Sequence, residues 1–274
     1  MAKDTINFDK PPVVEVAISV QFDPIEGLTT AHLGLLWQEY RKEFPKCVDQ
    51  PSLEPVKETF GQFPRTGPKF TILTNVGSKV RLWFMSENQS DLIQIQHNRF
   101  VRNWRQTSDS DMYPRYPQLR ESFSQEYHVF LGFLEKQGLP LPRANQCEVT
   151  YVNHIQTCDV WERHGQLDRV LNLWKKPELT DIGPEPENAR VIARYVLNNA
   201  EGKPVGRLHI DCEPAFHATS RQPIFVLKLV ARGEPDKDDF DGMMDFFDRG
   251  RQYINRAFMS ITTDELHHVW GRTK

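Results

Sequence analysis

Residues 11–22 read PPVVEVAISVQF. Val14, Val16, Ile18, Val20 and Phe22 alternate with Glu15, Ala17, Ser19 and Gln21, and a period of two belongs to a strand with one apolar and one mixed face. The paired prolines mark its start, because proline fixes φ and removes a backbone donor, and Asp23-Pro24 ends it. A one-sided strand needs a sheet beside it and helices over its apolar face.

Both are found by reading outward. A helix is predicted over 28–44, where Leu33, Leu36, Trp37 and Tyr40 recur at steps of three and four. Residues 46–68, rich in proline and glycine, read as an irregular excursion. Strand-like runs follow at 70–74, 80–85, 92–97 and 100–104, with turns at Gly77-Ser78 and Asn88-Gln89. A helix over 118–136 carries Leu119, Phe123, Tyr127, Phe130, Leu131 and Leu134 as one stripe, and Gly138 suits its end.

The order then begins again. A strand over 147–157, a short helix over 166–174, a polar loop over 177–188, strands over 191–197, 205–212 and 224–231, and a long helix over 239–261 complete the chain. Glu15-Val16 and Glu148-Val149 occupy the same place in the two first strands. The expectation is an α+β fold of two similar β-α-β-α halves, 11–143 and 144–274, in one unit: a curved antiparallel sheet with helices on one face, laid out like the duplicated saddle of the TATA-box-binding protein. Residues 1–10 read as a loose arm.

Composition narrows the function. The chain of 274 residues is 39% hydrophobic and 26% charged, which fits a globular protein, and its net charge of −3 confines any polyanion binding to a local patch. No apolar run of about 20 residues is present to cross a membrane, and the polar N-terminus has no signal-peptide core. Cys47, Cys147, Cys158 and Cys212 show no C-x-x-C spacing and read as free thiols, so a cytoplasmic location is expected. Phosphate loops, dinucleotide fingerprints, nucleophile elbows and H-E-x-x-H motifs are absent from the sequence. No cofactor is expected.

Two constellations stand out. Residues 97–120 interleave Arg99, Arg102, Arg105, Arg115 and Arg120 with Phe100, Trp104, Tyr113 and Tyr116, a mixture that suits phosphate and stacked bases. Gln94 and Gln96 share a strand face nearby. The candidate binding residues are therefore Gln94, Gln96, Arg99, Arg102, Arg105 and Arg115. The second constellation is His209, Asp211 and Glu213, which alternate onto one strand face as a ligand set for zinc, manganese or iron, with His217 able to join. Polar solvent faces of half-buried sheets carry the same pattern. His267 and His268 point apart on a helix and favour a structural role, with Trp270 docking the tail.

PPVVEVAISVQF at 11–22, LIQIQHNRFVRNWR at 92–105, YPRY at 113–116, EVTYVNHI at 148–155 and ITTDELHHVWGR at 261–272 together resemble an uncharacterised, sporadically distributed bacterial family. Its marks are a PPxxEV start, a QxQxxRF…NWR centre and an HxxWG end. The resemblance implies no catalytic residues; the family's patchy distribution suggests a defence or toxin–antitoxin setting. The reading is a non-enzymatic binding or regulatory protein that recognises a protein partner, another copy of itself or a nucleic acid. The alternative is a metal-dependent hydrolase or nuclease using His209, Asp211 and Glu213.

Overall fold

The computed structural model describes residues 7–61, 80–108, 110–176, 183 and 185–273. A strand expected at 70–74, the turn at 77–78 and most of the loop at 177–188 lie outside them.

The protein is α+β, built on an open antiparallel sheet of nine strands. In chain order these are β2 (Val13–Phe22), β3 (Lys46–Pro51), β4 (Val80–Met85), β5 (Asp91–Gln96), β6 (Arg99–Arg105), β7 (Ala144–Gln156), β8 (Val191–Asn198), β9 (Pro204–Phe216) and β10 (Pro223–Gly233). Their order across the sheet is β3-β4-β5-β6-β2-β7-β10-β9-β8. The first strand, β2, lies at the centre against β7, with Ile18 opposite Val149. On one side β6, β5, β4 and β3 follow outward; on the other, β10, β9 and β8.

Helices α1 (Thr30–Tyr40), α2 (Tyr116–Lys136) and α3 (Phe240–Ile261) cover one face. The apolar stripe of α2 buries Leu119, Phe123, Tyr127, Phe130 and Leu134. Phe100 meets Phe123, Tyr127 and Phe130 at centroid separations of 5.4–5.8 Å, and Phe123 meets Phe247 of α3 edge-on at 5.0 Å. Asp239 caps α3 by accepting from the Gly242 amide at 2.7 Å. Gly250 lets α3 settle on the sheet, since a Cβ there would stand 3.2 Å from Ala231 Cβ and 3.5 Å from Val149 Cγ2.

Three expectations need correction. Residues 46–51 are not irregular but form edge strand β3; its mostly exposed residues give no apolar alternation to read. Residues 166–174 do not form an α-helix. A 3-10 turn, His164–Arg169, buries Leu167, and Leu171 then bridges to Thr262. The arm is not loose from residue 7 on: β1 (Asn7–Phe8) pairs with β11 (Arg272–Thr273) beyond the short helix α4 (Asp264–Val269). Phe8 packs edge-on to Phe258 and Trp270, both at 5.8 Å.

Candidate functional site

Strand alternation sends polar side chains to the face that the helices leave bare. Gln94 and Gln96 of β5, Arg99 and Asn103 of β6, Ser19 and Gln21 of β2, Gln146 and Glu148 of β7, Arg232 of β10 and Arg207 and His209 of β9 all lie there. Gln94, Gln96, Arg99, Asn103, Ser19, Gln21 and Gln146 are nonetheless buried. Buried polar groups need hydrogen-bond partners, and many are supplied by one segment of the chain.

After β3, residues 52–60 leave the sheet edge and run over this face without regular structure of their own. The Gln96 carboxamide accepts from Leu53 N and donates to Leu53 O, both at 2.9 Å. Gln21 does the same to Val56, at 2.8 and 3.1 Å. Arg99 Nη2 donates to Glu54 O at 3.3 Å and to Gln21 Oε1 at 2.6 Å, holding the second clamp in line. Gln146 Oε1 accepts from Glu58 N at 3.4 Å, and Arg207 donates to Thr59 O at 2.5 Å. The contacts proceed in order across β5, β6, β2, β7 and β9. From β5 to β9 is five strand spacings, about 24 Å, so these few residues must run almost fully extended. Most of the strap's own residues stay exposed, Val56 at 37%. A 180 Å³ hollow remains beside it, against Asp23, His97 and Asn145.

The strap ends on an ionic anchor. The Glu58 carboxylate is 6% exposed and bonds Arg207 Nη1, His209 Nε2 at 2.7 Å and Arg232 Nη1 at 3.4 Å. Burial alone would raise its pKa. Hydrogen bonds from His209 and Arg207 and the charges of His209 and Arg232 outweigh burial and bring it down to about 2. Arg232 is itself held by Glu148 at 2.5 Å, and Arg207 lies 4.7 Å over the Phe60 ring.

Of the residues singled out in the sequence, Gln96 and Arg99 grip the strap. Gln94 instead joins sheet side chains, accepting from Trp83 Nε1 at 3.0 Å and donating to Asn103 at 2.6 Å. Arg105 donates to Gln89 O at 3.0 Å and stacks 5.3 Å over Trp83. Arg102 is a correction. It shares parity with Phe100 and Trp104, so it points under the helices, where it is 5% exposed and pairs with Asp91 at 2.6 Å and Glu126 at 3.0 Å. Arg115, ahead of α2, donates to Phe8 O at 3.0 Å, far from the strap's contacts.

His209, Asp211 and Glu213 do share one face of β9, but each is engaged separately: His209 with Glu58, and Asp211 and Glu213 with Arg190 at 2.5 and 3.0 Å. His217 bonds Ser220 within its own turn. Among the described residues, no group of three or more His, Cys, Asp or Glu is disposed to hold a metal ion. His267 is buried against Thr262 Oγ1 at 2.7 Å, in keeping with a structural role.

Sequence reasoning missed Gln21, Gln146, Glu58, Arg207 and Arg232. Gln21 was legible as the polar end of the opening strand. Glu58 carried no signal, being one acid in a proline-marked stretch. No protein-family model, curated protein or solved structure matches the chain. What fold and site define together is a nine-stranded open sheet whose polar face is threaded by an extended segment of its own chain.

Proposed function

We propose that the protein is a non-enzymatic polypeptide-recognition protein, and that residues 52–60 occupy its binding face in cis. The observation that carries this reading is the pair of two-bond clamps, Gln96 on Leu53 and Gln21 on Val56. A carboxamide offers one acceptor and two donors, so it engages a peptide unit much as a neighbouring strand does. Backbone groups are common to all polypeptides, and these clamps suit any extended segment of similar path. Selectivity comes from the anchor: Arg207, His209 and Arg232 favour a carboxylate two residues beyond the second clamp. The partner is therefore a protein with an extended acidic segment.

A nucleic acid fits this face less well. Arg99 and Arg105 already serve internal acceptors, and Glu15 and Glu148 on the same face repel phosphate. The family resemblance, kept as a proposal, agrees with the clamp, because its central QxQxxRF motif includes Gln96 and Arg99. Its HxxWG motif covers His267, Trp270 and Gly271, where the tail docks.

We also infer that 11–143 and 144–274 are copies of one ancestral unit in a saddle-like arrangement. Supporting this, strands run β2-β6-β5-β4 and β7-β10-β9-β8 outward from the centre. Glu15 and Glu148, at matching places, each face an arginine on the next strand, Arg105 and Arg232.

The test is a fluorescence-anisotropy comparison on Glu58→Gln protein, in which the anchor is released. Labelled extended acidic peptides should bind, and a Gln21→Ala, Gln96→Ala double variant should lose them. Salt-dependent binding of single-stranded or duplex oligonucleotides without peptide binding would overturn the reading in favour of nucleic acid.

A further inference from the structure

We infer that a second site lies on the helix side of the sheet, where a 330 Å³ cavity takes a small organic carboxylate with an apolar body. It opens between the start of α2, α3 and strands β7 and β10, and is independent of the strap. Protein interiors are close-packed, with few voids larger than a water molecule. A cavity of this size is in the range of small-ligand sites.

Its walls suit an amphipathic guest. Leu229, Ile254 and Phe258 are buried apolar groups on one side, and Phe8 with Pro11 and Pro12 closes the other. The docked N-terminal arm thus completes the cavity. Polar groups converge at one part of the lining. The Tyr113 and Tyr151 hydroxyls lie 3.0 Å apart, and because one hydrogen serves that bond, the second can donate to a guest. Arg251 stacks 5.0 Å from the Tyr116 ring. Its guanidinium lines the cavity and hydrogen-bonds Tyr151, and among the described residues no carboxylate pairs with it. Burial raises the Tyr113 and Tyr151 pKa values, so both hydroxyls stay protonated as donors.

The backbone adds an independent sign. Arg115 has φ 68° and ψ 152°, close to a region that is essentially glycine's alone. Such strain concentrates at ligand sites. Here it sets the Arg115 guanidinium 5.7 Å from the Tyr113 ring on the cavity wall. A planar guanidinium and hydroxyl donors beside apolar walls match a carboxylate, whose two oxygens accept in the plane of the arginine fork.

The experiment uses the full chain and four probes, naphthoate and decanoate with their neutral amides, followed by saturation-transfer NMR and calorimetry. The carboxylates should bind at least about tenfold more tightly than the amides, a charge-assisted preference. Arg251→Gln should remove that preference while amide binding persists. Met259→Trp, at a partly exposed part of the lining, should fill the space and abolish both. Circular dichroism checks each variant's fold, and Met259→Trp alone keeps the idea testable if Arg251→Gln does not fold. Absence of carboxylate binding at millimolar concentration, equal affinity for acid and amide, or binding that survives Met259→Trp would each overturn the proposal.

Discussion

Replacing Glu58 by glutamine takes away the carboxylate that Arg207, His209 and Arg232 share, leaves Arg232 its closer partner Glu148, and leaves the strap's backbone bonds in place. The carboxylate's pKa falls from an ordinary 4.5 to about 2 in the folded chain. A drop of that size corresponds to roughly 3 kcal/mol of interaction. The side chains of Arg207, His209 and Arg232 are 17–25% exposed, so solvent screening brings the expected loss to about 2–3 kcal/mol. The strap has little apolar surface of its own to bury, so the loss should appear first as local opening rather than global unfolding. At 1.4 kcal/mol per tenfold, amide exchange at Leu53, Val56 and Glu58 should accelerate by roughly 30- to 100-fold. The pH dependence follows with a definite sign. A depressed folded-state pKa gives stability that is full above the ordinary value and is lost as pH falls from about 4.5 through about 2. Wild-type strap exchange, corrected for its intrinsic rate, should therefore rise over that window, and Glu58→Gln should be nearly flat. Glu148 is buried, yet Arg232 holds its pKa down; it titrates in both proteins and shares Arg232 with Glu58, so their difference reads Glu58 together with its coupling to Glu148. Hydrogen-exchange mass spectrometry reads the effect. Exchange at the three amides within about twofold of wild type at pH 7, alongside an unchanged urea midpoint, would refute the reasoning.

Other consequences follow from the interior. Arg102→Ala should cost about 1–3 kcal/mol in urea unfolding, because Asp91 and the buried Glu126, whose pKa burial already raises to about 8, lose their hydrogen-bonding partner; a folded, fully stable variant would contradict its placement under α2. Trp104→Ala, at a site 3% exposed, should cost about 3–5 kcal/mol by calorimetry. Gly250→Leu should cost about 1–3 kcal/mol, because the side chain must displace Ala231 or Val149, and thermal melts would reveal it. Phe8→Ala should lower the melting temperature and increase exchange at Arg272 and Thr273, since Phe8 holds the paired termini against Trp270.

Legibility tracked apolar periodicity. The bounds of β2 and β4 could be read to the residue because one face of each is core, and α2 and α3 showed themselves by stripes at steps of three and four. Parity alone put Gln94 and Gln96 on the bare face. It also put Arg102 beneath the helices, but an arginine's charge invites a surface reading that a buried carboxylate pair overrides. Where no apolar face is formed, the pattern was silent. Edge strand β3 alternates nothing, the two-residue ladder of β1 and β11 is too short to have a period, and the strap is held by backbone groups that every residue carries. The anchor at Glu58 joins residues about 150 positions apart, a separation at which local spacing holds no information. His209, Asp211 and Glu213 were correctly read as sharing a face, while their separate partners, Glu58 and Arg190, come from other segments.

The most direct test of cis occupancy is an anisotropy titration of a labelled peptide of residues 51–61, PSLEPVKETFG, against wild-type and Glu58→Gln protein at neutral pH. With the resident strap loosened and no resident carboxylate shared by Arg207, His209 and Arg232, the peptide should bind the variant at least about tenfold more tightly than wild type, and adding Gln21→Ala with Gln96→Ala should abolish that binding. Equal or absent binding to both proteins would contradict the claim that the polar face is a polypeptide groove filled by its own chain.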